Sequence, residues 1–95
     1  MINAETWGRI YALIDKAEPL GPSALNNASG LPGDHFARHF MLAKKKVRGR
    51  IEARMQELMQ GIDPDRDFAP AHTAREQGTF WLGFEKEKAM LAGAR

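Results

Sequence analysis

The chain contains no cysteine among its 95 residues, so neither a disulfide framework nor a thiolate metal site is available to it. A reducing, cytoplasmic setting is the compartment this suggests. No apolar run approaches the roughly 20 residues needed to cross a bilayer. The opening residues carry Glu5 and no basic cluster, so they do not read as a secretion signal. Only two serines occur, Ser23 and Ser29, and neither sits in a nucleophile-elbow pattern. No glycine-rich phosphate loop with a following lysine is present either. Catalysis is therefore not expected, and no cofactor is implied. What remains, with 43% hydrophobic and 27% charged residues, suits one ordinary globular domain of a size that usually carries a binding task.

The charge is unevenly placed. The net charge is only +2, yet residues 38 to 54 hold Arg38, Lys44, Lys45, Lys46, Arg48, Arg50 and Arg54 against Glu52 alone. A basic segment inside a nearly balanced chain is the electrostatic footprint of a phosphate-binding surface, although a solvated helix face looks the same. On a helical projection Lys46, Arg50 and Arg54 line one flank. Lys44 and Arg48 line the other, and Arg38 with Lys45 lies on the outer face.

The periodicity is helical throughout and predicts an all-α bundle of four to five helices. The first is expected over residues 4–17, capped by Asn3, with Trp7, Ile10, Tyr11, Ile14 and Ala17 on its buried stripe. Pro19 and Gly21 end it, and Pro22 opens a short helix over 22–28. Pro32 starts the next, whose stripe runs Phe36, Phe40, Ala43, Val47, Ile51, Met55, Leu58 and Ile62. Two successive four-residue steps around Gly49 predict a break or kink there, giving helices over 32–48 and 50–61. Residues 61 to 72 read as a loop anchored by Phe68. Its alternating Asp63, Asp65 and Asp67 resemble the start of a calcium loop. However, Phe68 and Ala74 stand where the glycine and glutamate are required. Thr73 and Glu76 form a T-x-x-E capping box that starts a final helix over 74–92.

His35 and His39, four apart, could face one metal ion, but two imidazoles without further ligands are not a site. The expectation is that His39 flanks the core and His35 lies on the surface. The aromatics Trp7, Tyr11, Phe80 and Phe84 fall on apolar stripes and are expected in the core. Trp81 broadens its stripe enough to reach a surface patch. In the same run Gly78 and Gly83 occupy helix interior, where glycine costs about 0.5–1 kcal/mol relative to alanine, which suggests close backbone approach. Projection places Gly78 near the stripe's edge and Gly83 away from it, facing solvent or a partner.

Three motifs follow one another along the chain: Gly8-Arg9-Ile10-Tyr11-Ala12-Leu13, then Ala28-Ser29-Gly30-Leu31-Pro32 with Phe36 four residues on, and finally Gln77-Gly78-Thr79-Phe80-Trp81-Leu82-Gly83-Phe84. Their order resembles the C-terminal helical domain of the large subunit of type I-C CRISPR surveillance complexes, a segment also made separately as the small subunit. The resemblance covers about residues 7 to 88. It departs after Phe84, where Glu85-Lys86-Glu87-Lys88 replaces a second aromatic and a His-Gln-Arg sequence. It departs again at the short connection Val47-Arg48-Gly49-Arg50. What it implies is a non-catalytic helical subunit that docks on the other subunits and grips DNA phosphates through the basic segment; the helical projection offers Trp81 and Gly83 for the subunit interface. Two other readings share these features: a phage-encoded mimic that occupies the small-subunit place, and an independent helical DNA-binding regulator.

Overall fold

The computed structural model describes residues 2–68 and 70–93. Helix α1 (Ala4–Ala17) is the spine, and α2 (Pro22–Gly30), α3 (Pro32–Lys44), α4 (Gly49–Met59), α5 (Pro64–Asp67) and α6 (Ala74–Gly93) follow it. No strand occurs among the described residues. The all-α fold agrees with the periodicity, but the described residues form six helices where four or five were expected. The sixth arises because Pro64 and the capping carboxylate of Asp63, which accepts from Asp65 N at 3.1 Å, turn part of the loop into a single helical turn.

Local signals set the first and last helices. Asn3 Oδ1 accepts from the Thr6 amide at 2.8 Å and caps α1. Thr73 and Glu76 close the capping box reciprocally, at 2.9 and 3.2 Å, and start α6. Residues 10 to 14 of α1 are all buried, which a helix achieves only when neighbours cover more than one face. The main neighbour is α6, and α3 and α4 also lean on α1. Trp7 meets Phe36 edge-on at 5.3 Å, and Phe68 packs against both, so the loop residue does anchor as expected.

The α1–α6 crossing is close because both helices present glycine to it. A Cβ on Gly8 would lie 1.8 Å from the carbonyl oxygen of Phe80, and one on Gly83 would lie 2.1 Å from that of Glu5. This corrects the expectation for Gly83, which faces α1 rather than solvent or another subunit. Gly78 has open space around it and takes no part in the crossing. The reason is that the buried strip of α6 runs through Phe80, Gly83, Phe84 and Glu87 and is rotated away from Trp81 and Lys88.

The aspartates after Gly61 serve the backbone. Asp67, buried, accepts from the Asp63 amide at 2.7 Å and from the Ile2 amide at 3.1 and 3.2 Å. Such bonds tie the α5 turn to the chain's amino end.

Candidate nucleic-acid interface

The basic segment does not form one continuous helix. Its first helix stops at Lys44 rather than running to residue 48, and the second begins at Gly49, whose φ of 59° is one that a side chain disfavours. Between them Val47 is buried, and its amide reaches back to the Ala43 carbonyl at 3.1 Å, as does that of Lys46 at 2.8 Å. The junction is thus a tight turn pinned by one apolar side chain, with charged residues on either side of it.

This turn distributes the seven cations in four directions. Arg38 on the outer face of α3 and Lys45 at its C-cap are both exposed. Lys44 and Arg48 line a cleft of about 200 Å³ between α3 and α4, floored by Phe40, Val47, Met55 and Met59. The Arg48 guanidinium also donates to its neighbour Val47's carbonyl at 2.6 Å. Arg50, exposed, edges a groove between α4 and α6 together with Lys16. The remaining two engage acids, Lys46 at the surface and Arg54 half-buried. Lys46 pairs with Glu18 at the end of α1. Arg54 Nε donates to Glu87 Oε2 at 2.9 Å and its Nη1 to Glu57 Oε1 at 3.1 Å.

The flank formed by Lys46, Arg50 and Arg54 therefore contributes one uncommitted cation instead of three. Among the described residues, no carboxylate lies within ion-pair distance of Arg38, Lys44, Lys45, Arg48 or Arg50. These five form the electropositive surface. Lone cations on an exposed surface contribute little to folding, so their clustering adds self-repulsion that a polyanion would relieve.

Glu87 is the residue that sequence reasoning missed. It lies among four charged residues that look like a solvated stretch, yet it is 1% exposed. Arg9 Nη1 donates to it at 2.9 Å from α1, and Arg54 approaches it from α4. Burial alone would raise its carboxyl's pKa, but the hydrogen bonds and charges of Arg54 and Arg9 outweigh that and hold it below the ordinary value. The available signal was its place four residues after Gly83, on the same strip as Phe80.

The aromatics take the core positions expected of them. Trp7, Tyr11, Phe80 and Phe84 are buried, and Trp81 is half-buried edge-on to Phe80 and Phe84, at 5.5 and 5.3 Å. His39 flanks the core, its Nδ1 3.3 Å from the Tyr11 hydroxyl, and that hydroxyl donates to the Pro32 carbonyl at 3.1 Å. Burial foremost, then the neighbouring His35 and Arg38, lower the His39 pKa. Among the described residues no group of three or more potential metal ligands converges, and no helix is long and apolar enough to cross a membrane. No family model, curated protein or solved structure matches this chain.

Proposed function

We propose that the chain is a non-catalytic helical subunit that holds nucleic-acid phosphates without reading sequence, working in the cytoplasm as part of a type I-C CRISPR surveillance complex. The observation that carries this is the exposed cation group of Arg38, Lys44, Lys45, Arg48 and Arg50 about the α3–α4 junction, which holds Glu52 in the cleft beside Lys44 and Arg48 but no carboxylate within ion-pair distance among the described residues. Phosphate contact by lysine and arginine on a helix surface supplies affinity and register but no base discrimination. The resemblance supplies the assembly. Its opening and closing motifs hold Gly8 and Gly83, which meet at one helix crossing, so the two motifs act as a single packing unit.

The crossing has a consequence for docking. Gly83 is consumed inside the fold, so of the two interface residues expected from the projection only Trp81 keeps exposed surface, and docking through α6 falls to Trp81 and its neighbours.

The test is reconstitution. A type I-C complex prepared without its small subunit, mixed with this chain, should take it up on size exclusion and regain target-DNA retention. Uptake with loss of interference by an otherwise complete complex would mark a mimic that occupies the small-subunit place. No uptake, with DNA binding by the free chain retained, would mark an independent regulator.

A further inference from the structure

The amino ends of α1 and α6 open onto one cavity of about 510 Å³. Asn3 and Ala4 reach it from the first helix and Arg75 and Glu76 from the second, so the positive dipole ends of both helices border the same space. Each cap satisfies one early amide, that of Thr6 by Asn3 and that of Glu76 by Thr73, which leaves the amides of Ala4 and Arg75 without an intrahelical acceptor. Helix ends alone make no site.

The deciding group is Trp7. Its side chain is 1% exposed, and its only polar group, the indole Nε1–H, donates to nothing among the described residues. Buried indoles usually find an acceptor. This nitrogen is not sealed from solvent, and the cavity that Trp7 lines is the one between the two helix ends, so the free donor opens into it. The same cavity holds Arg75, which is exposed and has no carboxylate within ion-pair distance among the described residues. Ile2, Ala4 and Pro70 supply apolar wall. Apolar walls with a few convergent donors are the usual make-up of a small-molecule site.

The charges around the cavity limit what it takes. Asp67 and Glu76 line it too, and both spend oxygens on backbone amides, those of Ile2 and Asp63 for the first and that of Thr73 for the second. They offset Arg66 and Arg75, so a dianion would face two carboxylates with no cation in excess. A single carboxylate asks for less, because its two oxygens are satisfied by one guanidinium and one or two N–H donors.

We propose that this cavity binds a small organic monocarboxylate, its carboxylate held by Arg75 and the Trp7 indole N–H and its apolar body against Ile2, Ala4 and Pro70. The site shares no residue with the cation group of the α3–α4 junction and goes beyond the phosphate-binding reading.

The experiment titrates the full chain, labelled with 15N, with three probes that share one apolar body: 2-naphthoate, the neutral 2-naphthamide and the dianionic 2-naphthyl phosphate. The Trp7 indole signal is the one that persists in Trp81→Phe. With wild type, 2-naphthoate should move that signal saturably and bind roughly tenfold tighter than the amide, the size expected of one charge-assisted hydrogen bond. Arg75→Gln, at an exposed position, should bind the acid no better than the amide, and its spectrum shows directly that it is folded. An unmoved Trp7 indole signal overturns the site, as does an Arg75→Gln variant that keeps the preference for the acid. Equal binding of all three probes overturns it as well, and tighter binding of the phosphate overturns the assignment to a monocarboxylate. No nucleic acid enters the readout, so the result decides this site whichever way the phosphate-binding reading falls.

Discussion

Arg54 and Glu87 form a two-point ion pair between α4 and α6, Nε to Oε2 at 2.9 Å and Nη2 to Oε1 at 3.1 Å, and Arg9 of α1 completes a triad on the same buried carboxylate. The triad matters because α4 buries only Met55 fully. Ile51, Leu58 and Met59 are only partly buried against the core, so the triad adds polar fixation to a light apolar anchorage.

Glu87→Gln leaves two arginines facing a neutral amide. Removing one partner of a buried pair usually costs about 3–5 kcal/mol, and the partial exposure of both arginines reduces this to roughly 2–3 kcal/mol. The carboxyl is held below its ordinary value in the fold, so its stabilisation is complete above about pH 4.5 and is lost as pH falls through the folded value. Chemical denaturation at pH 7 and pH 3.5 should show a smaller difference between wild type and variant at the second, by up to about 1.4 kcal/mol for one proton over the pH unit below about 4.5.

Alanine at the two glycines inside α6 should have opposite effects, because Gly83 lies in the crossing and Gly78 does not. Gly83→Ala and Gly8→Ala each place a methyl against backbone that cannot rotate aside, costing about 2 kcal/mol or more. Gly78→Ala meets nothing within 4 Å and should stabilise by roughly 0.5–1 kcal/mol. Thermal melts of the three variants check this, and a stabilised Gly83→Ala would mean that α6 packs in another rotation.

His39 supplies a pH dependence in a higher window. Its folded pKa lies below the ordinary 6.5, so stability is full above about pH 6.5 and declines as pH falls toward the folded value. One proton limits the slope to about 1.4 kcal/mol per pH unit. Urea midpoints between pH 7.5 and 5 should fall for wild type and fall less for His39→Gln.

Much of this was legible because it is local. The Asn3 cap, the Thr73–Glu76 box and the stripe of α1 depend on residues within one turn of each other. The break at Gly49 showed in the spacing too. The end of α3 did not, since Lys45 and Lys46 are good helix formers and Val47 continues the stripe from Ala43; what stops the helix is the burial of Val47 at a turn that the φ of Gly49 permits. The rotation of α6 was misread for a related reason. Aromatic residues announce a buried face and glycine carries no such signal, so projection sets Gly83 away from the stripe when it is Gly83 that α1 meets. Glu87 is buried by arginines from two other helices, a relation that one-dimensional periodicity cannot hold. The same holds for the cations, since the acids that engage Lys46 and Arg54 lie at residues 18 and 87.

Gly49→Ala tests the junction itself. No atom crowds the position, so the cost is the left-handed backbone alone, about 1–2 kcal/mol. Gly49→Asn, which tolerates that conformation better, should lose less. Equal melting of both variants and wild type would show that α3 and α4 join differently.

The most direct test of the central claim is the salt dependence of binding to a single DNA strand, measured for wild type, for Lys44→Ala/Lys45→Ala/Arg48→Ala and for Lys46→Ala. Each phosphate contact contributes about 0.7 to the slope of log affinity against log salt, so the triple variant should lose about 2. Lys46→Ala, whose ammonium is engaged by Glu18, should stay close to wild type. A triple variant with the wild-type slope would contradict the account and remove the α3–α4 junction from nucleic-acid binding.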